Sequence, residues 1–183
     1  MTETDKFKNQ YRIPSTRWAA WDYGCNAAYF ITICAAQHIH HFGKIENGIV
    51  TLSILGQAAH QCWQEIPLHF PFVILDEFII TPNHLHGIVI INKNVETQNL
   101  ASLQVATSSQ KFGTQSQNIA SIVRGFKIGV TKFARPKNLS FEWQPRYYDR
   151  VIRNMSELDR IRKYIYENPL RLGEDEYNLG SKD

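Results

Sequence analysis

Four runs rich in β-branched and aromatic residues are separated by two stretches of helical periodicity. They come in the order strand, helix, strand, strand, helix, strand, and that order constrains the fold more than any other feature. "AAYFITICAA" (Ala27 to Ala36) reads as the first strand. "LSILGQAAHQCWQEI" places Leu52, Leu55, Ala59, Cys62, Trp63 and Ile66 at helical spacing, with Pro67 just past the end. "FVILDEFII" (Phe72 to Ile80) and "HLHGIVII" are two more strands, joined by the turn chemistry of Thr81-Pro82-Asn83. "NIASIVRGFKIGVTKFA" puts Ile119, Ile122, Val123, Phe126, Val130 and Phe133 on one helical side. "FEWQPRYYDRVI" is extended, and Pro145 argues for an edge or irregular strand. A further helix, "NMSELDRIRKYIYENP", follows, with Asn154 and Glu157 in a capping-box arrangement and Pro169 at its stop. A hairpin signal, Glu46-Asn47-Gly48, falls between the first strand and the first helix. The β-α-β-β-α-β core predicts an α+β fold. It is a ferredoxin-like (RRM-like) sandwich, an antiparallel sheet with helices packed on it.

The 183 residues suit one domain spanning 1–183, and a hydrophobic content of 43% supports a real core. Residues 94–117 are rich in Asn, Gln, Ser and Thr and read as a polar loop or insertion. The net charge is only +3, so a nucleic-acid surface has to come from clustering rather than bulk charge. Cys25, Cys34 and Cys62 form no CxxC pair and fit reduced packing thiols. The first residues, "MTETDKFKNQYR", hold no apolar signal core, and no run of about 18 apolar residues occurs. The expectation is a soluble, cytoplasmic protein.

Two histidines interrupt the apolar run "ITPNHLHGIVII". In a strand, residues i and i+2 share a face, so His84 and His86 are neighbours with Leu85 on the opposite side. Adjacent imidazoles make half of a metal site. From the spacing alone, two core histidines are the more ordinary reading. His38-Ile39-His40, followed by His41, has the same spacing but sits before a turn and reads as exposed. A histidine-triad hydrolase would need a third histidine where Ile88 stands, and no HExxH occurs.

"RKYIYENP" brings Tyr164 and Asn168 to one helical face, beside Ile161 and Ile165. Tyr166 is turned roughly 200° away. A phenol and a carboxamide together offer a nucleophile and an oxygen ligand, although Tyr164 alone reads equally as an amphipathic residue at the core's edge. Arg124 and Lys127 lie on the polar side of their helix, and Arg146, Arg150 and Arg153 follow Trp143, Tyr147 and Tyr148. Basic residues interleaved with aromatics suit single strands, where cations meet phosphates and rings stack on bases. A solvated charged face over core aromatics accounts for the same pattern.

"YFITI", "LDEFIITPNHLHG", "SIVRGFK" and "FEWQPRYYDRVIRN", followed by "RKYIYENP", recur in the order found in a known family. The chain resembles the single-tyrosine HUH transposases, most of all the REP-associated tyrosine transposases of the IS200-like branch. The resemblance covers roughly Tyr29 to Leu170, with residues 94–117 outside it. It implies metal-dependent cleavage and rejoining of single-stranded DNA through a 5′-phosphotyrosine. It assigns the divalent ion, Mg2+ or Mn2+, to His84 and His86, and the nucleophile to Tyr164. Insertion-sequence relatives carry a Gln as third ligand four residues after the tyrosine. This chain has the shorter Asn168 there, and Asn168 also suits the end of a helix before Pro169. An imperfect DNA hairpin is the implied substrate, and the segment Tyr11 to Trp21, with Arg12 and Arg17, is the candidate to grip it. The insertion-sequence relatives are dimers and the REP-associated branch acts as a monomer, so either state is compatible. Two other readings share the sandwich. One is a non-catalytic single-strand-binding module, and the other is a metal-dependent phosphoesterase that uses water.

Overall fold

The computed structural model describes residues 6–7, 10–11, 21–46, 48–93 and 117–169. The expected loop at 94–117 and the turn residue Asn47 therefore fall almost wholly outside the described residues. Arg12 and Arg17 lie outside them too.

Two short strands, β1 (Lys6–Phe7) and β2 (Gln10–Tyr11), pair with each other. The main chain of events begins at β3 (Ala27–Cys34) and passes through the hairpin β4 (Gly43–Glu46) and β5 (Ile49–Leu52). It continues through α1 (Ile54–Gln64), the short α2 (Ile66–His69), β6 (Val73–Ile80) and β7 (His84–Ile91). It ends with α3 (Ile119–Ala134), β8 (Tyr148–Ile152) and α4 (Met155–Glu167). The four long strands form one antiparallel sheet in the order β6-β7-β3-β8. That is the ferredoxin-like arrangement the element order predicts.

Period-2 alternation divides the sheet's side chains into two sets. Tyr29, Ile31, Ile33, Leu85, Val89 and Ile91 join the large core with Leu55, Ala59 and Trp63 of α1 and Ile122, Phe126 and Val130 of α3. Phe30, Ile79, Ile88, Ile90 and Ile152 face the other way and meet Leu158, Ile161 and Ile165 of α4. The sequence predicted helices on a sheet but not this division into three layers. Gly87 makes the large core possible at one point, because a Cβ there would lie 2.4 Å from Trp63 Cζ2.

Caps fix the helix ends. Ser53 Oγ accepts from Gly56 N–H and donates to the His41 carbonyl, which ties α1 to the segment before it. Asn118 and Ser121 form a reciprocal capping box on α3. At α4, Asn154 accepts from Glu157 N–H as expected, but the Glu157 carboxylate accepts from Arg153 N–H, one residue before the cap. Asn168 keeps right-handed angles (φ −53, ψ −42), so no left-handed cap closes α4.

The extended segment expected from Phe141 to Ile152 forms a strand only from Tyr148. Before it, Trp143 makes a lone bridge to Ala35, and Arg146 takes a left-handed φ of 68°. Pro145 and that reversal end the pairing.

Candidate active site

Register brings the site together. On β7, His84 lies opposite Cys34 and His86 opposite Thr32 of β3. Both histidines are fully buried on the face that α4 covers. Their Nε2 atoms are 3.1 Å apart. Tyr164, reaching down from α4, sets its Oη 3.1 Å from His86 Nε2. Phe30 stacks on His86 and meets Tyr164 edge-on, so one ring supports both groups.

Two neighbours fix the imidazoles. Asn83 Nδ2 donates to the His38 carbonyl at 3.0 Å, which settles the orientation of the amide. Its Oδ1 therefore faces His84 Nδ1 at 2.7 Å, and that nitrogen must carry the proton. His84 Nε2 then presents a lone pair to the site. His86 Nδ1 is 2.8 Å from Thr32 Oγ1, and a hydroxyl can donate or accept. His86 is thus able to exchange tautomers, with its Nε2 either donating to His84 or offering a second lone pair.

Two lone pairs on one centre suit a divalent cation. Ligands about 2.1 Å from an ion, at angles between 90° and the tetrahedral value, stand about 3.0–3.4 Å apart, and the observed spacing falls in that range. Hydrogen bonds at the far ring nitrogen, as at these two Nδ1 atoms, are of the kind that orients histidines where they bind metals. Among the described residues no group of three His, Cys, Asp or Glu gathers here. Among the described residues, a third donor would therefore be a neutral oxygen. Asn168 is buried one turn beyond Tyr164 on the same helix. Tyr164 is 38% exposed and Tyr166 80%, so the two tyrosines differ as their helical positions predict.

The predicted DNA contacts separate into two groups. Arg124, Lys127, Arg146 and Tyr147 line one depression beside α3. Within it, the Lys127 ammonium turns inward and donates to the carbonyls of Gln144 and Arg146, and burial pushes its pKa down to about 8. Trp143 packs against Phe42, Phe126 and Phe141 and donates to the Lys127 carbonyl, so its ring belongs largely to the core. Arg150 and Arg153 lie by the start of α4. There Arg150 pairs with Glu157 at 2.6 Å, and Arg153 is exposed.

Thr32 and Asn83 were not singled out from the sequence. The available signal was small: a lone hydroxyl in an apolar strand, and a carboxamide immediately before the first histidine. The cluster His38-Ile39-His40 enters the site through a backbone carbonyl rather than an imidazole.

A sheet with paired histidines on a central strand and a tyrosine-bearing helix laid over them has the fold of a REP-associated tyrosine transposase. The solved structure of such a transposase bound to a REP hairpin matches with a TM-score of 0.57 and 17% identity, covering 87% of this chain and 75% of that one. In sequence, an uncharacterized protein of Haemophilus influenzae is 43% identical over 164 residues, 88% of this chain and 91% of that protein. The chain belongs to one family with that protein. No family model matches the chain.

Proposed function

We propose that the protein is a transposase-type enzyme that cleaves and rejoins single-stranded DNA, with Tyr164 as the attacking group and a hairpin-bearing strand as substrate. The observation that carries this reading is the Tyr164 hydroxyl 3.1 Å from His86 Nε2, a nitrogen that also lies 3.1 Å from His84 Nε2. A tyrosine used for packing alone has no need to set its hydroxyl on a nitrogen already shared by another ring.

In this reading Tyr164 Oη bonds to phosphorus while the bond from phosphorus to the 3′ oxygen breaks. The phenol loses its proton and the departing 3′ oxygen gains one. The phosphotyrosine keeps the energy of the diester, so a 3′-hydroxyl can reverse the step without ATP. A divalent ion, Mg2+ or Mn2+, held by His84 and His86 with Asn168 as a candidate third donor, supplies positive charge at the phosphate and leaving oxygens. His84 is ready for that role through Asn83, and His86 reaches it by placing its proton on Nδ1 against Thr32. With His86 Nε2 held by such an ion, the Tyr164 hydroxyl would lose its hydrogen bond there and could turn to phosphorus.

The test is incubation with hairpin-bearing single strands taken from the gene's flanks, with Mg2+ or Mn2+, read on a denaturing gel. A covalent protein–DNA adduct is expected for wild type, His40→Ala and Tyr166→Phe, and none for Tyr164→Phe, His84→Ala or His86→Ala. Cleavage without an adduct would favour a water-using phosphoesterase. Binding without cleavage would favour a passive module.

A further inference from the structure

The charge of this chain is unevenly spread. From Asn118 to Asn138 there are five cations, Arg124, Lys127, Lys132, Arg135 and Lys137, and no carboxylate, in a chain whose net charge is only +3. On α4 the pattern is opposite, with Arg162 paired to Asp76 and Asp159, and Lys163 to Glu167. Arg124, Lys132, Arg135 and Arg146 have no carboxylate partner among the described residues. Uncompensated like charges cost stability, and a polyanion relieves that cost.

These cations border a groove of about 520 Å3 on the outer side of α3. Arg124, Ile128, Thr131 and Arg135 follow one another at i, i+4, i+7 and i+11, a single stripe along the helix. The stripe is about 16 Å long, roughly four to five phosphate intervals of a stacked strand. Ile128, 48% exposed, is an apolar part of the groove. Arg146 and Tyr147 form the opposite wall, where Lys127 clasps the carbonyls of Gln144 and Arg146. Arg146 and Tyr147 also line a second cavity of about 200 Å3 that reaches Thr32. Thr32 is the residue bonded to His86. The two depressions therefore share a wall and lead from the α3 side of the sheet towards the histidine pair.

We infer that the α3 groove is a second seat for single-stranded DNA, holding a stretch of strand that lies outside the reacting segment. Phosphates rest on Arg124, Lys132, Arg135 and Arg146, and bases lie against Ile128 and Tyr147. Unpaired bases suit the apolar part of the groove, because in a duplex their faces are already stacked on each other. The choice of DNA as the polyanion rests on the strand-transfer reading above.

The experiment measures binding by fluorescence anisotropy in EDTA, using the full chain and labelled dT20, and compares wild type with Arg124→Gln/Lys132→Gln/Arg135→Gln. The variant is expected to bind about tenfold more weakly at low salt. Its plot of log affinity against log salt should flatten by about 2, since each contact to a single strand contributes about 0.7. Its melting temperature should equal or exceed that of wild type. Unchanged affinity and slope would overturn the inference. So would tighter wild-type binding to rU20, to a 20-base-pair duplex or to poly-glutamate, each of which names a different occupant. The adduct assay is a separate readout. Charge-dependent dT20 binding with no adduct on any hairpin would leave the groove standing while the strand-transfer reading failed.

Discussion

The two faces of the sheet are built to different depths. Among the described residues, the α1 and α3 side gathers twenty-one buried hydrophobic residues into one core, and the α4 side gathers five. The thick side contains the largest buried ring, Trp63, seated where Gly87 leaves room. The thin side contains the imidazoles and Tyr164, and α4 is held there partly by Arg162 bonded through two nitrogens to Asp76. The bulk of the packing and the candidate site thus fall largely on opposite faces of the same strands. The histidines borrow rigidity from a core they do not enter, and the tyrosine rides on an element with a lighter attachment.

The largest expected effect tests that division directly. Trp63→Ala should cost about 3–5 kcal/mol and lower the urea midpoint of the whole domain. Ile161→Ala should cost about 2–4 kcal/mol, but chiefly by detaching α4. Hydrogen exchange would then quicken in α4 while β3 and β7 stay protected. Equal loss of protection in β3 would break the comparison.

Next in size is Thr32→Val, which keeps the shape and removes the hydroxyl at His86 Nδ1. Mn2+ affinity should fall about 10–100-fold by titration calorimetry, with Tyr164 still in place. An unchanged affinity would mean that His86 is oriented by packing on Phe30 alone.

A smaller effect comes from Asp76. The Arg162 hydrogen bonds hold its carboxyl below the usual carboxylate range. The stability this contributes is therefore present above the unfolded value near 3.8 and is lost as pH falls through the lower folded value. Asp76→Asn should cost about 1 kcal/mol near neutrality. It should also remove part of the acid sensitivity of melting between pH 5 and 3, read by circular dichroism.

A purely pH-dependent effect concerns Lys127. Its folded pKa, about 8, lies below the ordinary 10.5, so between those values the unfolded chain binds more protons than the native one. Wild type should gain stability relative to Lys127→Met as pH rises through that window. A constant difference between the two melting curves would show that the clasp carries no titratable cost.

Much of this architecture was legible in the sequence because it is periodic. Alternation in "HLHGIVII" put both imidazoles on one side, and helical spacing separated Tyr164 from Tyr166. The choice of face for α4 was not legible, since an amphipathic helix carries no mark of which side of a sheet it will cover. Thr32 was hidden for a related reason. It became a partner of His86 only through the pairing of strands more than fifty positions apart. The packing of Trp143 was not legible either, because an aromatic among arginines looks the same whether its ring is exposed or packed on Phe42. The segment before Tyr148 lost its strand to Pro145 and the reversed backbone at Arg146, a local break inside an otherwise extended composition.

That α4 comes last among the described elements has a consequence for how the protein is made. Tyr164 follows His86 by 78 positions, so on a ribosome adding about 5–20 residues per second the imidazoles precede the phenol by roughly 4–16 s. The first long strand must also wait, because Ala28 pairs with Ile152 near the far end. Until then His86 lacks the hydroxyl that meets its Nε2. The hydrogen bond between Tyr164 and His86 therefore closes only after most of the described residues have been synthesised, so the site is assembled late.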